Sequence, residues 1–322
     1  MIKFTMKIDK KLAVCLAVAV VAEAGAKADV NSLLGNWNVI TSGDATLNDP
    51  VAGRTFVGGN LSYGNQMATG ESSVAGTNIT LAVAGNINSW ANVQYGSAVA
   101  GGSSTYIALN NGTLHTGSSV PAAISPVSSL VSNSLYWSTL TPNSTITTGT
   151  GSVTFGTTAG NSVAVFNVTG AQTFNANLYN GIGLSLATGV NTVIVNVNAT
   201  TINGGYTPFL SSFQNAAGTG KVLFNFYNAT SIDLTAQFYG YIVAPNATVN
   251  LHSGVEGGIM AASINNLGGV GVALPAGSTG SSWSGSLPDG LTPVPTPEPG
   301  SLALLGAGAA ALWRFRRPMA GK

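Results

Sequence analysis

Short apolar runs recur along this chain with the same punctuation. Phe56-Val57-Gly58-Gly59-Asn60-Leu61 is echoed by Ala82-Val83-Ala84-Gly85-Asn86-Ile87, and more weakly by Ile40-Thr41-Ser42-Gly43-Asp44 and Ala98-Val99-Ala100-Gly101-Gly102. The glycines at 43, 59, 85 and 101 are separated by 16, 26 and 16 residues. Further on, Asn-Ala-Thr occurs at 198, 228 and 246, and Gly240-Tyr241-Ile242-Val243-Ala244 returns 17 residues later as Gly257-Gly258-Ile259-Met260-Ala261. Imperfect repeats near this length predict the rungs of a β-solenoid, in which each coil covers the exposed edge and apolar face of its neighbour. Stacked Asn at the turns would form amide ladders, and Gly would take turn positions with positive φ. The competing reading is a β-sandwich whose glycines mark hairpins.

Runs such as Val193-Ile194-Val195-Asn196-Val197 and Val222-Leu223-Phe224-Asn225-Phe226 read as strands of about five residues between Gly and Asn turns. Helical spacing emerges from Val127 to Leu140, where Val127, Leu130, Val131, Leu135 and Trp137 follow steps of three and four. The expected fold is all-β, a solenoid with one short helix near 127–140 lying on it. From Ser72 to Gly220 there is no Lys, Arg, Asp or Glu. Between Asp29 and Pro297 only Arg54 and Lys221 stand against Asp29, Asp44, Asp49, Glu71, Asp233, Glu256 and Asp289. The formal charge of +1 therefore belongs to the ends, and the middle is mildly acidic. That removes the electrostatic basis for binding nucleic acid.

The N-terminus carries Lys3, Lys7, Lys10 and Lys11, an apolar run from Leu12 to Ala22, and Ala26-Lys27-Ala28 before Asp29. This is the order of a secretory signal peptide, cut between a small-x-small site at Ala26 and Ala28 and the mature start near Asp29. Cys15 is the single cysteine and lies within that segment, so the mature domain must hold together by burial and backbone hydrogen bonds. At the other end a Pro-rich linker leads to Pro297-Glu298-Pro299, an apolar run from Leu302 to Trp313, and Arg314-Phe315-Arg316-Arg317. Ser301 to Trp313 would span about 20 Å as a helix, against a hydrocarbon core of ~30 Å, so it would hold in a bilayer weakly. The series resembles the PEP-CTERM sorting signal of Gram-negative bacteria. That resemblance implies export through the Sec translocon, transient inner-membrane anchoring and processing by an exosortase-type protease. The expected organisation is a signal peptide over 1–28, one domain over 29–290, a linker over 291–299 and a sorting segment over 300–322.

Ionisable residues are scarce enough that Asp44, Arg54, Glu71, Asp233 and Glu256 each merit a role. Asp44 follows Gly43 and Arg54 follows Gly53, which suggests a structural ion pair between Asp44 and Arg54 across neighbouring coils. No spacing brings two carboxylates onto one strand face for hydrolysis, and His115 and His252 stand apart with no metal-ligand spacing. The sequence thus points to no catalytic residue, cofactor or metal site. Asn78, Asn111 and Asn198 satisfy the glycosylation pattern but read first as turn formers.

Two blocks are similar to the choice-of-anchor A domain family. One runs from Trp37 through Gly43-Asp44 and Val51-Ala52-Gly53-Arg54 to Leu61. The other comprises Val222 to Thr230, Phe238 to Ala247 and Gly254 to Ala261. The resemblance spans roughly 36–267 and implies a cell-surface domain joined to an anchor. A stiff, low-charge solenoid with rows of Asn, Thr, Ser and Tyr would suit association with exopolysaccharide in a biofilm or floc. A surface adhesin is the nearest alternative, and a polysaccharide-degrading solenoid enzyme is the alternative from another class. Thr145-Ile146-Thr147 is too short a Thr-x-Thr ladder to favour an ice binder.

Overall fold

A computed structural model describes residues 30–72, 78–117, 127–174, 181–203, 211–218, 220–266, 272–273 and 283–288. The expected signal peptide, the linker and the sorting segment, with Ala26, Ala28, Pro297, Glu298, Pro299, Arg314, Arg316 and Arg317, lie outside them.

The architecture is a β-solenoid. Its longest ladder runs through Val163–Thr169, Thr192–Asn198, Val222–Asn225, Tyr241–Leu251, Ile259–Asn266, Val39–Thr41, Thr55–Val57, Ile79–Val83, Ser97–Ala100 and Leu114–Thr116. Every step of that ladder is parallel, which rules out the sandwich, whose hairpins would give antiparallel pairs. The spatial order is not the chain order. The chain enters in the middle of the stack, winds to the end at Leu114–Thr116, then runs past the helix Val127–Ser138 to the opposite end. From Val163 it winds back until Ile259, Met260 and Ala261 pair with Val39, Ile40 and Thr41. Val39–Thr41 and Ile259–Ala261, far apart in sequence, are therefore stacked against each other.

The repeats are the coil register. Ile40 pairs with Phe56, Phe56 with Ala82, and Ile242 with Ile259. The last step is one residue longer than the sequence suggests: Ala82 pairs with Val99, and the fourth corner glycine is Gly102, whose N–H donates to Gly85 O at 2.9 Å. Gly59 and Gly85 likewise donate to Gly43 O and Gly59 O at 2.9 Å. A side-chain ladder runs beside this backbone ladder. Asp44 Oδ1 accepts from Asn60 N at 2.7 Å, Asn60 Oδ1 from Asn86 N at 2.9 Å, and Asn86 Oδ1 from Ser103 N at 2.8 Å. Positive φ is not what these corners need, contrary to expectation: none of the four glycines adopts it. They are glycine because a Cβ at 59, 85 or 102 would collide with the Asx oxygen of the coil before. Gly240 and Gly257, with φ of 120° and 143°, do follow the expectation.

Inside the coils, Val39, Val57, Val83 and Ala100 line one half, while Phe155, Phe166, Phe213, Phe224 and Phe238 fill the other. Phe155 meets Phe166 and Phe213 edge to face, as Phe224 meets Phe238, with centroids 4.9–5.8 Å apart, and each fully buried Phe contributes about 1.5–3 kcal/mol. The outside of the longest ladder is covered as well. Ile40, Phe56, Val243 and Met260 pack under the helices Val30–Asn36 and Val127–Ser138 and under Trp283 and Leu287. The expected helix is present and ends at Ser138, and short helices at Val30–Asn36, Gly170–Thr173 and Ser211–Gly218 are additional. Its buried face is not the apolar one the spacing suggests. Leu130, Ser134 and Trp137 point inward while Leu135 is 52% exposed. An Asn ladder sets this phase: Asn196 donates to Asn167 Oδ1 at 2.9 Å, Asn225 donates to Asn196 Oδ1 at 2.8 Å, and Ser134 Oγ donates to Asn225 Oδ1 at 2.6 Å.

Candidate functional site: an open face with an aromatic and amide stripe

Asp44, Arg54, Glu71 and Asp233 each have a partner within the frame. Asp44 is the first rung of the corner ladder and does not form the expected pair with Arg54; Arg54 Nε instead lies 3.6 Å from Glu71 Oε2. Glu71 arrives from the turn after Leu61–Met67, which brings it closer to Arg54 than the corner does. Its side chain is fully buried, and burial pushes its carboxyl above the usual range, with Arg54 only partly opposing this. Asp233 lies 3.3 Å from His252 Nε2 one coil on. Glu256 sits in register with Tyr239, whose hydroxyl is pushed up by burial and by the Glu256 charge. His115 shares a 3.0 Å contact with Thr113 Oγ1. Asn198 Oδ1 accepts from Asn228 at 2.8 Å, so the Asn-Ala-Thr repeats at 198 and 228 are stacked corners. Among the described residues no group of three or more His, Cys, Asp or Glu converges.

The Glu71 shift has a testable sign. In the window between its unfolded and its raised folded value, the folded chain binds more protons than the unfolded one, so stability falls as pH rises through that window. Above it the full penalty of the buried charge is present. Glu71→Gln is expected to raise the melting temperature at pH 7 by about 2 °C or more, and to change nothing below roughly pH 4, where the carboxyl is neutral in both states. Thermal scans of both proteins across that range check it; a gain that persists at the acid end would rule this cause out.

What remains open is a second face. It comprises Thr201–Ile202, Ser231–Leu234, the later part of Tyr241–Leu251, Ile259–Asn266, Ala45–Leu47, Leu61–Met67, Ile87–Val93 and Ser104–Leu109. The described helices make their main contacts elsewhere. Along this face one outward row reads Asp233, Asn250, Asn265, Thr46, Tyr63, Trp90, Tyr106. It extends about 29 Å at ~4.8 Å per coil. Asn265 donates to Asn250 Oδ1 at 3.1 Å, the Tyr63 and Trp90 rings lie 5.7 Å apart at 44°, and Tyr106, in register with Trp90, is 57% exposed. A parallel amide row flanks it, with Asn65 donating to Asn48 O at 3.1 Å and Asn110 donating to Gln94 Oε1 at 2.7 Å. Sequence reasoning missed the aromatic stripe. Tyr63 follows the inward Leu61 by two residues and Trp90 follows the inward Ile87 by three, because the ladder shifts register between Leu61 and Gly64, and that irregularity hides the alignment.

The stack of parallel coils is covered by helices on one side and leaves a second face open. Residues 30–273 match the family described as "Putative Ice-binding-like adhesive domain", and the chain belongs to that family. Residues 295–317 match the PEP-CTERM protein-sorting motif. An ice-binding protein from the Antarctic ascomycete Antarctomyces psychrotrophicus is similar at 14% identity, over 77% of this chain and 98% of that one, with a TM-score of 0.29. A search of curated proteins found no match. No described helix is long and apolar enough to cross a membrane. The chain is an exported surface or matrix protein carrying a signal for exosortase-type processing.

Proposed function

We propose that this protein is a non-enzymatic adhesive component of the cell surface or matrix that associates with exopolysaccharide after export. The observation that carries this reading is the open face: an adhesive-family solenoid places Asp44, Arg54, Glu71 and Asp233 in corners and local pairs, while a row of amide, hydroxyl and aromatic side chains from Asn250 to Tyr106, about 24 Å long, lies on the face its helices leave open. A hydrolase needs two facing carboxylates, and Asp44, Glu71 and Asp233 each take a different partner. An ice surface asks for a regular hydroxyl array, whereas this row holds one threonine. Within the family we read the domain as of the choice-of-anchor A type, supported by the adjacency of its two blocks.

The sorting motif supports a Gram-negative host in which the segment over 300–322 holds the chain briefly in the inner membrane before cleavage. On this reading 1–28 is removed on export, 29–290 is the domain and 291–299 the linker. The strap at 283–288 supports placing the domain end near 290: Asn31 Oδ1 accepts from Leu287 N at 2.7 Å, and Trp137 Nε1 donates to Pro288 O at 2.8 Å. Fractionating the native host and measuring intact mass tests this. A species from about Asp29 to near Pro299, outside the inner membrane and co-purifying with extracellular polysaccharide, is expected. A full-length C-terminus retained in the inner membrane would overturn it.

A further inference from the structure

We infer that the aromatic half of the open row, Tyr63, Trp90 and Tyr106, is a glycan subsite, and that its ligand is an uncharged polysaccharide lying along the solenoid axis. This rests on the exopolysaccharide reading and narrows it to a place and a chemical class. The rings come from three successive coils on one face, so they present neighbouring apolar plates, with the Tyr63 and Trp90 centroids 5.7 Å apart. A pyranose offers a C–H face that stacks on such a plate and an equatorial rim of hydroxyls that needs donors and acceptors beside it. Asn65 and Gln94 stand on one side of the plates, and Asn60 and Asn86 form the corner on the other. A chain laid along the axis would meet one plate and one polar pair per coil.

Charge selects the class of polymer. No Lys, Arg, Asp or Glu occurs from Ser72 to Gly220, the stretch that supplies Trp90 and Tyr106. Arg54 is engaged with the buried Glu71, and Lys221 belongs to a coil on the far side of the stack centre from the stripe. A uronate or sulfate along the polymer would be desolvated with no cation to meet it, whereas a neutral sugar carries no charge to desolvate and its hydroxyls can pair with the flanking amides. Asp233, at the opposite end of the row, adds repulsion for an anionic chain.

The experiment is affinity electrophoresis of the secreted protein through gels containing hydroxyethyl cellulose, galactomannan, alginate, or the neutral and acidic fractions of the host's own extracellular polysaccharide. Retardation by the neutral host fraction is expected, insensitive to added salt. Trp90→Ala is expected to weaken it about tenfold or more, Trp90→Phe to retain part of it, and Tyr106→Ala to weaken it without moving the melting temperature. Retardation by alginate or the acidic fraction alone would overturn the neutral class. Retention of all variants as tightly as the wild type would move the site off the stripe while leaving the exopolysaccharide reading intact. Retention of the wild type by no polysaccharide would remove both.

Discussion

Gly257→Ala is expected to lower the melting temperature of the secreted domain by about 10 °C or more, if the variant folds at all. Two effects add. The backbone at 257 has φ of 143°, a region open essentially to glycine, where another residue costs about 1–3 kcal/mol. A Cβ there would also lie 2.6 Å from the Gly240 carbonyl carbon and closer still to its oxygen. Both are backbone atoms of the coil before, held in the ladder by Gly240 N donating to Glu256 O at 2.9 Å, so no side-chain rotation relieves the clash. Overpacking of this kind costs a further 1–3 kcal/mol or more, and about 1 kcal/mol moves a domain of this size by ~2–4 °C. Gly160→Ala separates the two causes. Gly160 has φ of 89° but nothing within 4 Å of a Cβ, so it should lose only the conformational part, about 1–2 kcal/mol. Equal losses at the two positions would show that coil spacing contributes nothing.

That contrast bears on how much of the molecule was legible beforehand. Repeats announced the solenoid because coils that stack in register must reuse the same corner chemistry, and Gly-Asx is the pair that lets one coil's side chain cap the next coil's N–H. At Gly43, Gly59, Gly85 and Gly101 the expected positive φ is absent and close approach is the cause, since the two leave the same letter in a sequence. The order of coils was not legible at all. Pairing of Val39–Thr41 with Ile259–Asn266 is a long-range event that no local spacing encodes. Sequence spacing pairs Asp44 with Arg54, whereas Asp44 caps Asn60 N of the next coil, because spacing does not say that the turn after Met67 folds Glu71 back to Arg54. The stripe was hidden by bulges, which alter the sequence interval between residues that end up side by side.

The long helix gives the second large effect, because it is docked by polar side chains as well as by apolar ones. Asn225→Leu is expected to destabilise the domain by about 3 kcal/mol or more, although it adds apolar volume at a fully buried site. Asn225 Nδ2 donates to Ser134 O and to Asn196 Oδ1, both at 2.8 Å, and Asn225 Oδ1 accepts from Ser134 Oγ at 2.6 Å. Leucine leaves the Ser134 hydroxyl and the Asn196 carbonyl oxygen buried without those partners, at roughly 1–3 kcal/mol for each group. If the loss comes from orphaned groups, Ser134→Ala added to Asn225→Leu should recover part of it, since removing both ends of a buried pair costs less than removing one. A double variant no more stable than Asn225→Leu would assign the loss to shape instead. The same ladder bears on how the strap over 283–288 is held. Asn196 Nδ2 donates to Trp137 O at 2.7 Å, and Trp137 in turn holds the carbonyl of Pro288, the last described residue. A helix loosened by Asn225→Leu should therefore release the strap over 283–288 ahead of global unfolding, read as earlier proteolytic clipping there while the Phe-filled core still resists.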